Sequence, residues 1–326
     1  MTRTIRLIAS IFGLTICIFS AQFAIAQTWP DKPIRIIMPY TPGSVPEALF
    51  RAVSAGLEAR LGQRFIVDAR PGGDGAIGGG AVTRAAPDGY TLLLAGTGLY
   101  VVTPHINKNL GFDPAVALDA MSMFADAPLL AVVSPAVPSR NLAELVEYIR
   151  ANPGKFNFGA PNAGSVTHLT GVALSQLAGN AMVFVPYKGV APMVQALMVN
   201  DLQVAFPALT GAVSQIRAGK VKVLAVMARQ RMAELPDVPT TVEAGFPQLV
   251  GTNWWALSAP RGTARAIIDR MAQDLRVILL EPETKKRFSD LGHSPMPMTP
   301  ADTTAFLKTE SARYKELVER GSIKAE

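Results

Sequence analysis

The run that most invites chemistry is Gly73-Asp74-Gly75-Ala76-Ile77-Gly78, a G-x-G-x-x-G spacing between a strand pattern and a helix pattern. That spacing serves a dinucleotide when the first glycine closes the turn directly at the strand end and the pyrophosphate meets a helix N-terminus. Here Ala69-Arg70-Pro71-Gly72 intervenes, and Gly79 and Gly80 weaken the helix start. The run therefore reads as a glycine-rich structural loop. Ser165 and His168 suggest a different chemistry, the nucleophile and base of an exported serine hydrolase. The surrounding Gly164-Ser165-Val166-Thr167-His168 lacks the second glycine of a nucleophile elbow and offers no third group to orient the histidine. Ser165 as a helix cap, with His168 packed nearby, is the preferred reading. His105, His168 and His293 are widely separated, without clustered carboxylates, so no metal site is expected.

Two other loops suit binding rather than catalysis. Pro39-Tyr40-Thr41-Pro42-Gly43-Ser44-Val45-Pro46-Glu47 follows one strand pattern, and Gly159-Ala160-Pro161-Asn162-Ala163-Gly164-Ser165 follows another. Each leads into a helix, whose first N–H groups lack partners and form a ready seat for a carboxylate or phosphate. One such loop on each side of a cleft would hold a small acid.

The elements that must position these loops follow from the apolar spacing. Strands are expected at 34–38, 65–68 and 91–95, each bounded by turn residues. Between the first two, Leu49, Val53, Leu57 and Leu61 recur every fourth residue and Gly62 ends the helix. Such alternation argues for a parallel sheet with helices on its faces. The rhythm breaks over 112–138, around the apolar run 129–133. It resumes with helices at 141–151 and 165–178 and strands at 156–159, 182–185, 202–206 and 221–226. A second break at 235–253 precedes a strand at 254–259 and closing helices at 264–280 and 300–320. Two breaks fit a chain that leaves one α/β lobe, builds a second and returns. Lobe one is expected to comprise 27–128 plus 255–326 and lobe two 129–254, with a ligand cleft between them where strand carboxyl ends point.

Composition narrows the classes further. The 326 residues are 49% hydrophobic and 17% charged, enough for two ordinary cores, and 27 Gly with 25 Pro is far from low complexity. Residues 1–26 have the form of a secretory leader: Arg3 and Arg6, an apolar run at 7–19, then Ala24-Ile25-Ala26 before a cut at Gln27. The apolar run is shorter than the ~20 residues that a membrane span needs. The one cysteine, Cys17, lies inside that leader, so the exported chain has no disulfide, thiolate nucleophile or cysteine ligand. The formal charge of +6 is scattered without a basic stripe, which argues against nucleic acid as a partner.

Several short motifs occur together in order. They are Trp29-Pro30-Asp31-Lys32-Pro33-Ile34-Arg35, Arg70-Pro71-Gly72-Gly73 with Gly75 and Gly78, and Ala86-Pro87-Asp88-Gly89-Tyr90-Thr91-Leu92. Val185-Pro186-Tyr187-Lys188-Gly189, Ala218-Gly219-Lys220 and Leu235-Pro236-Asp237-Val238-Pro239-Thr240 follow. With these motifs the chain resembles the periplasmic solute-binding proteins of tripartite tricarboxylate transporters, the Bug family, throughout its length after the leader. The resemblance implies an α/β, two-lobed type II periplasmic binding fold with an interlobe cleft. It implies capture of a carboxylated solute for a membrane permease, by a monomer with no cofactor, no metal and no enzymatic activity. It also implies that the ligand carboxylate meets backbone N–H groups and bridging waters of the two loops.

Carried onto this sequence, the ligand-binding positions are Tyr40, Thr41, Gly43, Ser44, Val45 and Glu47 in the first loop, and Thr97 and Gly98 after the third strand. In the second lobe they are Ala160, Asn162, Ser165, His168, Tyr187, Pro207 and Ala208. Ser44 and Ser165 are expected to cap their helices. An ionised Glu47 would repel an anion, so orienting the loop is its expected role. The family's first loop carries Pro-Gly-Gly with an Asp two residues on, where this chain has Ser44 and Glu47. Ala160-Pro161 replaces a polar start to the second loop, and Pro207-Ala208 stands where the family often has an Asp. A buried polar ligand group without a partner costs roughly 1–3 kcal/mol. The expected ligand is therefore an aromatic mono- or dicarboxylate such as terephthalate, against Tyr40, Pro207 and Ala208. An aliphatic di- or tricarboxylate is the alternative.

Overall fold

A computed structural model describes residues 29–161 and 163–321. The expected leader with its cut after Ala26, and Asn162, lie outside the described residues.

The chain opens with β1 (Ile34–Met38), α1 (Val45–Leu61), β2 (Phe65–Ala69), α2 (Ala76–Thr83) and β3 (Thr91–Gly96). Both β2 and β3 pair parallel to β1, as the strand–helix–strand spacing requires. The strands are covered on both faces. Ile34, Ile36, Met38, Leu92 and Leu94 face α1, whereas Ile37, Leu93 and Ala95 face the opposite core. Helix α1 presents Leu49, Phe50, Val53 and Leu57 to that first face and ends at Gly62, whose N–H returns to the Glu58 carbonyl at 2.8 Å.

The stretch expected to be an interruption instead contains β4 (Leu118–Pro128), which carries the chain out of this sheet. A second sheet follows, with β5 (Leu130–Val133), α3 (Leu142–Ala151), β6 (Phe156–Ala160), α4 (Val166–Leu177) and β7 (Met182–Pro186). It is completed by α5 (Val190–Met198), β8 (Val204–Ala205), α6 (Leu209–Arg217) and β9 (Lys222–Val226). The chain returns through β10 (Thr252–Pro260), then α7 (Arg265–Leu279), α8 (Pro282–Asp290), β11 (Ser294–Pro295) and α9 (Pro300–Gly321). The strand orders are β11-β4-β10-β3-β1-β2 and β7-β6-β8-β5-β9.

Neither sheet is purely parallel, contrary to the expectation from alternation alone. Strand β10 re-enters from the second sheet against the direction in which β4 left, so the two pair antiparallel from Thr252↔Pro128 to Pro260↔Leu118. Strand β5 likewise runs antiparallel to β8 and β9. Where the chain crosses, Leu129 N–H donates to Gly251 O (2.9 Å), Gly251 N–H to Met227 O (2.9 Å) and Met227 N–H to Leu129 O (2.8 Å). Helix α9 packs on β4 and also on α4 of the second lobe, so one core runs through both lobes.

Helix α4 lies close on β6 because Gly171 faces it. A Cβ at Gly171 would stand 2.1 Å from Phe158 Cδ2, a buried ring in the shared core. Gly171→Ala must move that ring off its rotamer, and overpacking of this kind costs about 1–3 kcal/mol. Denaturant unfolding should show a lowered midpoint with an unchanged m-value.

Candidate functional site

A cleft of about 660 Å³ opens at the carboxyl ends of the first three strands. Pro39 and Tyr40 follow β1, the Gly72–Gly75 turn follows β2, and Thr97 to Leu99 follow β3. From the returning strand come Asn253, Trp254 and Trp255, and from the second lobe come Ala163 to Val166 at the start of α4. A π-helical turn, Gly98–Val102, continuing into Thr103–Ile106, turns Leu99, Val102 and Ile106 toward the same space.

The first-lobe wall depends on a close approach at Gly96. A Cβ there would stand 2.8 Å from the Tyr40 hydroxyl, 3.0 Å from Trp254 O and 3.1 Å from Trp255 Nε1. Burial pushes the Tyr40 phenol up to about 12, with the Gly96 backbone pulling it back slightly, so it remains a neutral hydroxyl. The Trp255 indole N–H pulls the same way from beside it, yet makes no hydrogen bond of normal geometry. Trp254 is 1% exposed, packs edge-on to Phe306 at 5.5 Å, and its indole N–H has no partner among the described residues. Thr97 ties the two strand ends together: its hydroxyl accepts from Trp254 N–H (3.0 Å) and donates to Trp254 O (3.3 Å).

On the second lobe, Ser165 caps α4 by accepting the His168 N–H at 3.2 Å, as the sequence suggests. The His168 ring accepts the Gly164 N–H on Nδ1 at 3.1 Å and is packed between Phe158 and Phe184, 5.8 and 4.1 Å away. Burial lowers its pKa to about 4, so the imidazole is neutral and acts as a buttress under the loop. Among the described residues its contacts are aromatic rings and backbone amides, with no carboxylate to orient it as a base.

The first loop differs from expectation at Ser44. Ser44 occupies the N-cap position of α1, but its hydroxyl makes no cap bond and is buried without a partner among the described residues. Pro46 removes one of the two N–H groups such a cap would reach. Glu47 does the work instead. Its carboxylate accepts the Gly43 N–H (2.8 Å) and pairs with Arg51 (2.6 Å), which together hold it below its usual range.

The structure thus brings Tyr40, Thr97, Gly98 and Ser165 onto one cleft. Thr41, Gly43, Ser44, Val45 and Glu47 lead away from it into α1, and His168 stands behind the Ser165 loop. Ala160, Tyr187, Pro207 and Ala208 lie at strand ends of the second sheet. There Tyr187 N–H donates to Ala160 O (3.0 Å), and Leu130 N–H donates to Pro207 O (2.9 Å). The Trp254–Trp255 pair and the Gly72–Gly75 turn line the cleft although sequence reasoning assigned them no contact; the adjacent tryptophans were the available signal. Among the described lining residues there is no Lys, Arg or His, and the one charged residue is Asp74.

His168 gives this loop a pH signature. Its folded pKa of about 4 lies below the ordinary 6.5, so its contribution to stability is complete above pH 6.5 and declines as pH falls towards 4. The loss between pH 7 and pH 4 should be on the order of 3 kcal/mol. His168→Gln should be less stable at pH 7 and lose less than wild type on acidification, as denaturant midpoints at the two pH values will show.

The model of the tripartite tricarboxylate transporter family receptor matches residues 49–323. Protein BugT of Bordetella pertussis is 31% identical over 300 residues, covering 92% of each chain. The structure of R. palustris Rpa4515 with adipate is 28% identical with a TM-score of 0.74, covering 91% of this chain and 99% of that one. MatC from Rhodopseudomonas palustris with bound malate is 26% identical with a TM-score of 0.70, covering 89% and 100%. Two lobes, a cleft at strand carboxyl ends and a match over most of the chain agree: this protein belongs to the receptor family of tripartite tricarboxylate transporters, solute-binding proteins rather than enzymes.

Proposed function

We propose that this chain is exported to the periplasm, with its leader removed after Ala26, and captures a small carboxylate for the membrane subunits of a tripartite tricarboxylate-type transporter. The favoured ligand is an aromatic mono- or dicarboxylate such as terephthalate. The observation that carries this reading is the cleft's lining: Tyr40 and Trp255 offer partly exposed aromatic surface, Leu99, Val102 and Ile106 add apolar surface, and no cation is present among the described lining residues. An anion in such a cleft is held by N–H donors, and the first turn of α4 supplies them. Adipate on Rpa4515 and malate on MatC support a carboxylate as the ligand class. They also keep an aliphatic di- or tricarboxylate as the second reading.

Trp255 takes the part that sequence reasoning gave to Pro207 and Ala208. Ligand capture works by closure of one lobe, 27–128 plus 255–326, on the other, 129–254, about the Leu129–Gly251–Met227 crossing. A ligand touching both lobes stabilises the closed state by its contacts there and leaves the open state unfavoured. Closure would carry Ala160, Tyr187, Pro207 and Ala208 toward the ligand. The protein acts as a monomer, without a metal or cofactor.

Thermal unfolding of refolded, ligand-free protein against citrate, succinate, adipate, glutamate, nicotinate, benzoate and terephthalate tests this. A ligand at 100 times its Kd adds about 2.7 kcal/mol, a shift of several degrees. Aromatic acids should give the largest shifts. A larger shift with citrate or an amino acid than with every aromatic acid overturns the aromatic assignment, and a larger shift with adipate or succinate moves it to the second reading.

A further inference from the structure

The two lobes are joined in two unlike ways. On the α9 face of both sheets a single apolar core runs from one lobe into the other. The opposite faces carry separate cores. Phe288 and Leu291, at the end of α8, pack on the first lobe's core, and Leu209 and Leu235 on the second's. These cores face each other across a seam at the turn after α8. There the Ser289 hydroxyl donates to Glu234 at 2.6 Å. Gly292 lies so close to Thr210, near the start of α6, that a Cβ would stand 2.3 Å from Thr210 Cγ2. Gly292 also ends α8 with a left-handed backbone (φ 71°), its N–H returning to Ser289 O (2.8 Å) and the His293 N–H to Phe288 O (2.9 Å). That second role lies within the first lobe and does not involve Thr210. The His293 ring stands 5.1 Å from the ring of Trp255, which lines the cleft. One turn therefore touches the cleft wall on one side and the second lobe on the other.

We propose that this seam is a clasp for the ligand-free arrangement of the lobes: Ser289, Gly292, Thr210 and Glu234 are positioning residues that set the apparent ligand affinity without touching the ligand, and capture releases them. The inference rests on the reading of lobe closure and deepens it. Ala160, Tyr187, Pro207 and Ala208 do not line the cleft in this arrangement. Thr210 stands two residues beyond Ala208, at the start of the same helix. Bringing Ala208 to a ligand carries Thr210 with it, away from a turn that Phe288 and Leu291 hold on the first lobe. The Gly292–Thr210 approach leaves no room for compression, so a change of lobe angle parts or slides it. The Ser289–Glu234 hydrogen bond is likewise lost once its atoms separate by about 1 Å. A protein whose binding-competent arrangement is only fractionally populated binds more weakly by that fraction, and loosening the clasp raises the fraction.

Electron–electron double resonance between spin labels at Lys285→Cys on α8 and Arg217→Cys on α6, both exposed, reads the lobe separation in protein lacking residues 1–26, which carry the only cysteine, Cys17. Ligand-free wild type should show one narrow distance distribution. Thr210→Ala/Ser289→Ala, which removes both contacts, should populate a second distance, the one wild type adopts with saturating terephthalate or adipate. Gly292→Ala should do the same, because its Cβ meets Thr210 Cγ2. Gly292→Ala/Thr210→Ala should return to the wild-type distance, since that Cβ then meets no Thr210 atom nearer than Cβ at 3.5 Å. A glycine needed only to end α8 predicts no such rescue. In calorimetric titration, Thr210→Ala/Ser289→Ala should bind the acid that wild type binds about threefold more tightly. Ligand-free distances alike in wild type and every variant, or a Gly292→Ala shift that Thr210→Ala does not reverse, overturn the clasp, and they decide it even if neither acid binds. Closure itself stands as long as a bound acid shifts the wild-type distance. Binding of an acid with no shift in wild type removes the closure reading and this proposal with it.

Discussion

The pairing of β4 with β10 is the constraint on which the molecule depends. A chain that leaves a sheet and later returns must re-enter beside its exit, and here Pro128 stands opposite Thr252 at that place. Because β10 lies between β4 and β3, its first residues reach the cleft as soon as they enter the sheet. Trp254 and Trp255 are therefore placed by the crossing itself, and the Thr97 hydroxyl fixes them against the end of β3. Three backbone hydrogen bonds among Leu129, Gly251 and Met227 tie the crossing strands together, and Leu129 and Met227 are buried in the core that both lobes share.

In the proposed reading, the cleft built on this frame receives an anion with no cationic side chain among its described lining residues. Burial keeps Tyr40 a hydroxyl and His168 an uncharged ring, so the groups near the ligand hold one protonation state across neutral pH. Glu47 is spent on Gly43 and Arg51, outside the cleft wall. Recognition by oriented N–H groups demands accurate placement, because each is short-ranged, and several contacts here serve only placement. Ser165 with His168 holds one loop, and Glu47 with Gly43 holds the other.

Much of this was legible in the residues. The fourfold spacing of Leu49 to Leu61 gives α1, and Ser165 before an apolar helix gives its cap. Strand β4 was not legible because its sequence, LDAMSMFADAP, is poor in β-branched residues and interrupted by aspartates; its identity comes from burial between neighbours. The missing Ser44 cap follows from Pro46 and the backward reach of Glu47, a competition that a preference table for N-caps does not contain. Adjacent strand residues ordinarily face opposite sides, and the two tryptophans do so: Trp254 packs into the core shared by both lobes and Trp255 against the core under α1.

Helix α9 has a consequence for how the protein comes into being. It is the last element, it packs on both lobes, and it completes the core they share. The first lobe's own closure joins residues 143 positions apart, where Gly262 N–H meets Asp119. Contacts this distant in sequence form late and slowly, so a partial chain has little to lock it into a compact state. A polypeptide of this design remains threadable until its far end has emerged, which suits a molecule proposed to cross a membrane before it folds.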